Sequence, residues 1–245
     1  MIRICHMYPD LLNLYGDCGN ITAFVKRCQW RSISVSVQEV SLNDRVNLRE
    51  QDFIFFGGGS DRELKLIAAD LTKRKEELIE AINDGLVILA ICGGYQLLGH
   101  YYLARDGEKI YGLGLMDFYT QAGSRRLVGD VVIEMSIDGL PVKVAGFENH
   151  SGYTYLGSCQ PLGQVLSGNG NNGKDGLEGA CYRNVFCSYL HGPLLPKNAR
   201  LTDHLIKLAM KKSGDNSQLR PLETELEDQA CQVVLDRLGF KKITR

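Results

Sequence analysis

The most constraining feature of the chain is the run Leu86-Val87-Ile88-Leu89-Ala90-Ile91, six apolar residues bounded by Gly85 on one side and Cys92-Gly93-Gly94 on the other. A strand apolar on both sides must be covered on both faces, which makes this run the central strand of a parallel sheet. Parallel neighbours need crossovers, and the preceding residues alternate strand-like and helix-like segments. Ile2 to Met7 suits a strand. A turn-rich loop from Pro9 to Gly19 then leads to a helix over about 20–30 that Asp17 or Asn20 could cap. Ile33 to Val40 alternates apolar and polar residues, as a strand with one solvated face does. Phe53-Ile54-Phe55-Phe56 is a short apolar strand running into Gly57-Gly58-Gly59-Ser60-Asp61, and 62–83 reads as one helix or two abutting ones.

After the central strand the pattern turns to hairpins. Val131 to Ser136 and Val142 to Phe147 flank Asp138-Gly139, a hairpin signal whose loop is expected to be longer than two residues. The string Ser167-Gly168-Asn169-Gly170-Asn171-Asn172-Gly173 reads as a flexible surface connection. Helical patterns over 199–212 and, past a polar break through Pro221, over 223–238 close the chain. An α/β domain over 1–205 with a helical C-terminal extension over 206–245 is expected. Lys241, Lys242 and Arg245 read as a solvated tail.

Bulk properties exclude several function classes. Lys plus Arg total 28 against 29 for Asp plus Glu, so the chain lacks the basic footprint of a nucleic-acid binder. Met1 to His6 has no apolar core of an export signal, and the run ending at Ile91 is too short to span a bilayer. A cytoplasmic location is therefore expected, with the eight cysteines as reduced thiols. None has the close spacing of a zinc site, Cys181 and Cys187 being the nearest pair, so no metal is expected.

One cysteine stands apart. The buried strand ends in Cys92, two glycines follow, and a helical pattern begins at Tyr95-Gln96-Leu97-Leu98, which is the layout of a nucleophile elbow. The thiol then sits at a helix N-terminus, where the local potential favours thiolate. A core cysteine beside a glycine turn is the plainer reading. It is outweighed by the position, since strand-to-helix switches carry the ligand crevice in open α/β sheets. Among five histidines, His191 in Ser188-Tyr189-Leu190-His191-Gly192-Pro193 suits a base at a strand end. His150 in Gly146-Phe147-Glu148-Asn149-His150 is the runner-up, and by residues alone the preference is modest. His100 and His204 read as surface positions. Gly168-x-Gly170-x-x-Gly173 lacks the buried strand and helix of a dinucleotide site, and no Gly-Lys-Ser/Thr ends a phosphate loop, so ATP binding is not expected.

Cys-Gly-Gly-Tyr-Gln at 92–96 and Tyr-Leu-His-Gly-Pro at 189–193, with Gly-Gly-Gly-Ser-Asp at 57–61 and Gly-Phe-Glu-Asn-His at 146–150, resemble the class I glutamine amidotransferases of the cobyric acid synthase type. The likeness runs over about residues 4–200. Within that family it is strongest to the free-standing glutaminase subunits of lipid II isoglutaminyl synthases. The resemblance implies a flavodoxin-like, mostly parallel sheet with helices on both faces. It implies Cys92 as nucleophile on the side-chain amide of L-glutamine, His191 as base, and backbone amides of Gly58, Gly59 and Gly93 as oxyanion donors. It gives Arg126 the substrate α-carboxylate, leaves the adjacent Arg125 solvated, and turns Gln96 toward substrate.

The implied partner is a Mur-ligase-like synthetase of the MurT type, forming a heterodimer. That subunit would hold ATP and Mg, with no cofactor in this chain, and would amidate D-glutamate in the lipid II stem peptide. Another acceptor, such as a cobyrinate-type acid, is the alternative, as is a catalytically silent regulatory subunit. One departure matters. Many family members place an acid shortly after the histidine, whereas Gly192-Pro193-Leu194 supplies none. The only acid near a motif histidine is Glu148. The third catalytic group is therefore expected to come partly from the partner, leaving the free chain a poor glutaminase.

Overall fold

Ile2–Met7 (β1) is the hub of a parallel sheet in the computed structural model, which describes residues 1–240. Helix α1, Cys18–Gln29, carries the chain to Val35–Val40 (β2) on one side of β1, and Phe53–Phe56 (β3) pairs on the other. Two abutting helices, Asp61–Thr72 (α2) and Lys75–Asn83 (α3), return it to Val87–Ile91 (β4) beside β3. Every residue of β4 is buried. Its place inside the sheet explains why its sequence tolerates no polar residue.

A short helix, Gly93–Leu98 (α4), follows Cys92. Tyr101–Leu103 (β5) and Lys109–Tyr111 (β6) then open a second sheet, dominated by the long hairpin of Phe118–Ile137 (β7) and Leu140–Leu156 (β8). Gly163–Ser167 (β9) and Leu177–Glu178 (β10) lie along the far side of β7. Ala180–Tyr182 (β11) and Val185–Ser188 (β12) rejoin the first sheet, whose order is β11-β12-β4-β3-β1-β2. Only β11 in that sheet runs antiparallel to its neighbour. Leu190–His191 (β13) then crosses to pair with β8. Helices Ala199–Lys212 (α5) and Glu225–Arg237 (α6) close the described chain; Lys241, Lys242 and Arg245 lie outside it.

Four sequence readings change. The hairpin turn has only two residues, because Ile137 pairs with Leu140, and both Asp138 (φ 52°) and Gly139 (φ 79°) are left-handed, as a type I′ turn requires. Its strands are also much longer than the apolar segments that marked them, 20 and 17 residues. The 167–173 connection is not a flexible surface loop: Asn171 and Asn172 are buried. The Asn171 amide bonds both the N–H and the C=O of Gly179 at 2.9 Å, while Asn172 donates to Thr154 O at 2.9 Å. Asparagine here replaces backbone partners inside the fold, which composition does not distinguish from solvation. Finally, residue 205 falls inside α5, whose Leu205, Ile206 and Ala209 belong to the main core, so packing places no boundary there.

The helical end is tied down by charge as well as by apolar contact. Cys231, Val234 and Leu235 of α6 pack on Val132 and Ala145 of the hairpin. Arg27 of α1, 2% exposed, bonds Asp203 of α5 at 2.8 Å and Glu227 of α6 at 2.5 Å, and Arg31 bonds the same Asp203 at 2.7 Å.

Candidate active site

The backbone at Cys92 has φ 49° and ψ −104°, a conformation that a residue with a side chain adopts only under constraint. The constraint is packing of the β3–α2 loop against the elbow. A Cβ on Gly94 would lie 2.6 Å from the Phe56 side chain, and one on Gly93 would lie 2.8 Å from the Gly59 nitrogen. The Cys92 N–H donates to Ser188 O at 2.8 Å, joining the end of β4 to the end of β12. Three residues past Ser188 comes His191.

His191 is completely buried, and its Nδ1 lies 3.2 Å from Asp17 Oδ1. The second oxygen of Asp17 accepts the Gly58 N–H at 2.7 Å. Cys92, His191 and Asp17 converge on Gly58, where a Cβ would meet His191 Cε1 at 2.9 Å, Asp17 Oδ2 at 3.1 Å and Cys92 Cβ at 3.4 Å. Burial alone would lower the pKa of the ring. The hydrogen bond to Asp17 and the adjacent Cys92 thiol outweigh it and hold the imidazole up at about 10. With Nδ1 on the carboxylate, Nε2 has no hydrogen-bond partner among the described residues. An imidazole of raised proton affinity beside a thiol can take the thiol proton.

A carboxylate bonded to His191 is therefore present within the chain, where the expectation had the third group coming partly from a partner. It is not Glu148, whose carboxylate accepts the N–H groups of Asn169 and Gly170, each at 2.8 Å. Asp17 read as a helix cap, yet its side chain makes no cap bond. The usable signal was topological. Loops after parallel strands emerge on one edge of the sheet, so the loop after β1 and the elbow after β4 share an edge.

His150, the rival base, is held in another role. Its Nδ1 bonds Gly152 O at 2.7 Å and its ring stacks on Tyr189 with centroids 3.7 Å apart. Burial presses its pKa down to about 4, so the ring is neutral. Of the three expected oxyanion donors, the Gly58 amide is taken by Asp17, whereas among the described residues the amides of Gly59 and Gly93 have no acceptor.

Cys92, Gly59, Gln96 and Arg126 line one pocket of about 390 Å³. Arg126 reaches it from an irregularity in β7, between Ala122 and Leu127, where the register with β8 shifts. Its guanidinium donates to Asn149 Oδ1 at 2.5 Å and to the Tyr15 hydroxyl at 3.1 Å. Arg125 does not line the pocket and bonds Asn169 at 3.4 Å. Gln96 lies at the pocket wall, its amide donating to the Tyr189 hydroxyl at 3.1 Å. Tyr15 went unnoticed in the sequence. Its ring meets His191 edge-on, with centroids 5.1 Å apart.

Residues 3–199 match the family described as the CobB/CobQ-like glutamine amidotransferase domain. Two relatives are named as the GatD subunit of lipid II isoglutaminyl synthase (glutamine-hydrolysing). The one from Staphylococcus aureus is 45% identical, over all of this chain and 99% of its own length. That from Streptococcus pneumoniae is 42% identical over 96% of this chain and 91% of its own. A probable cobyric acid synthase from Methanococcus maripaludis is 30% identical, but the match spans 72% of this chain and 38% of that protein.

Among solved structures, a glutamine amidotransferase superposes with a TM-score of 0.56 at 16% identity, covering 84% of this chain and 98% of the other. The glutaminase domain of Trypanosoma brucei CTPS, with bound acivicin, gives 0.52 at 9%, covering 90% and 97%. Those two likenesses concern the fold, which is the class I amidotransferase architecture expected. The family match along most of its length and the two full-length relatives carry the assignment: the chain belongs to the CobB/CobQ-like glutamine amidotransferases.

Proposed function

We propose that the chain is the glutaminase subunit of a lipid II isoglutaminyl synthase, releasing ammonia from L-glutamine for a partner that amidates the stem peptide. The observation that carries the glutaminase chemistry is the Cys92–His191–Asp17 constellation at the wall of a pocket that also holds Arg126. The acceptor rests on identity over essentially the whole length of proteins so named. Cobyric acid synthases match over too little of their own length to favour their acceptor.

Arg126 binds the α-carboxylate of glutamine and the Cys92 sulfur, its proton already held on His191 Nε2, attacks Cδ. The amides of Gly59 and Gly93 take up the negative charge on the former carbonyl oxygen. The imidazolium, steadied by Asp17, gives its proton to the amide nitrogen, the C–N bond breaks, and ammonia leaves a glutamyl thioester. A water, deprotonated by the same imidazole, then cleaves the thioester and returns Cys92 and glutamate. The partner in this reading is a Mur-ligase-like, MurT-type synthetase in the cytoplasm, which holds ATP and Mg and activates the acceptor carboxylate.

The test is amidation of lipid II by the purified complex. Cys92→Ala should abolish amidation from glutamine and leave amidation from ammonium salt at high pH. Failure with both nitrogen sources in an assembled complex would give this chain a part in ligation itself and refute the division of labour.

A further inference from the structure

We infer that Asp61 holds the α-ammonium group of glutamine, opposite Arg126 on the carboxylate, so that the pocket selects the free amino acid over glutamine whose amine is acylated or missing. The inference rests on the glutaminase reading and extends it to substrate choice. With Cδ at Cys92 and the carboxylate at Arg126, the ammonium on the same carbon as that carboxylate needs an acceptor nearby. The charged side chains lining the pocket are Asp61, Arg62 and Arg126, so Asp61 is its one carboxylate. The Asn149 amide oxygen is already engaged by the Arg126 Nε–H, and Asp61 is the acceptor in the lining that carries a charge to match the ammonium.

Asp61 opens α2 directly after the Gly57–Ser60 loop, which fixes it relative to the Gly59 amide. Among the described residues it forms no ion pair with Lys or Arg. Its side-chain neighbour is the Tyr102 hydroxyl, 3.4 Å from Oδ2, and Tyr102 lines the same pocket. Burial and the Asp61 charge push that phenol up to about 12, so it remains a donor and leaves the other carboxylate oxygen to a ligand. An aspartate in the first turn of a helix commonly serves the helix dipole. That role requires neither a pocket wall nor a phenol partner, and Glu63 already accepts the Ser60 N–H at 2.9 Å. One consequence is that amides inside a peptide, whose amines are acylated, are poor substrates.

The experiment compares kcat/KM for L-glutamine, N-acetyl-L-glutamine and glutaramic acid, which lacks the amine, in the parent and in Asp61→Asn, using the full chain with its synthetase subunit. Removing a charge-assisted bond should lower kcat/KM for glutamine by about 10- to 100-fold. The value for glutaramic acid should stay within about threefold, so that the preference collapses. Equal losses on glutamine and glutaramic acid, or no loss on glutamine, would overturn the inference. Thermal melting of Asp61→Asn alongside Asp61→Glu separates a folding defect from a lost contact. A parent that hydrolyses none of the three would refute the glutaminase reading instead.

Discussion

Asp17→Asn removes the carboxylate that His191 bonds while leaving the volume almost unchanged. In the parent both oxygens accept, one from His191 at 3.2 Å and the other from the Gly58 N–H at 2.7 Å. An amide has one acceptor, so either the Gly58 N–H loses its acceptor, at about 1–3 kcal/mol, or the ring must change its protonation at Nδ1. If the NH2 group faces the ring, it stabilises the tautomer protonated on Nε2, which cannot take the proton of Cys92. In either orientation the imidazolium loses its counter-charge, and a lost histidine–carboxylate partnership can cost up to about 10⁴ in kcat.

The same substitution leaves a thermodynamic trace. The folded-state pKa of His191 is raised from 6.5 to about 10. Its stabilising contribution is therefore complete below about pH 6.5 and is lost as pH rises through about 10. Asp17→Asn should narrow that window, flattening the decline of melting temperature between pH 7 and 10. Glutamate release gives kcat and KM, and calorimetry across that range gives the pH dependence. A kcat within tenfold of the parent, with an unchanged melting profile, would refute the assignment of Asp17.

Cys92→Ser should abolish glutamine hydrolysis with little change in melting temperature; residual activity within tenfold would reject it as nucleophile. Arg126→Ala should chiefly raise KM, since a carboxylate contact is shared by ground and transition states, whereas Arg125→Ala should be nearly silent. The reverse pattern would move the carboxylate site. Arg27→Met takes the Arg27 partner from Glu227 and leaves Asp203 with Arg31 alone, and should cost about 3 kcal/mol in urea denaturation; a loss under 1 kcal/mol would show that the cluster contributes little. Binding of the synthetase subunit should lower KM for glutamine more than it raises kcat, and the opposite split would return a catalytic group to the partner.

How much of this was legible depended on the range over which each constraint acts. Strands β1, β3 and β4 were read from short apolar runs, because a strand covered on both faces needs no knowledge of its partners. Strand β2 alternated as expected, but Val37 on its apolar set is 43% exposed, because β2 is an edge strand. The hairpin showed only where both strands are apolar; Phe118 to Asp130 is polar, half-exposed and irregular. The elbow was readable because Cys92 needs its glycines next to it. The partnership of Asp17 with His191 spans 174 residues, and no spacing rule reaches that far.

Finding the acid inside the chain changes what a partner subunit can control. Had the synthetase supplied the carboxylate, assembly would switch the chemistry and act on kcat. Asp17 and His191 are instead fully buried, and Cys92 is 8% exposed, so a docking surface does not touch them directly. The groups within its reach belong to substrate capture. Arg126 is exposed on an irregular stretch of β7, and Tyr15, which bonds it, is 48% exposed in a left-handed conformation (φ 56°) on the loop that leads to Asp17. Ordering that arginine and the tyrosine that bonds it would lower the cost of holding glutamine. Under the proposed function, a partner docking there would tune ammonia release through occupancy of the pocket.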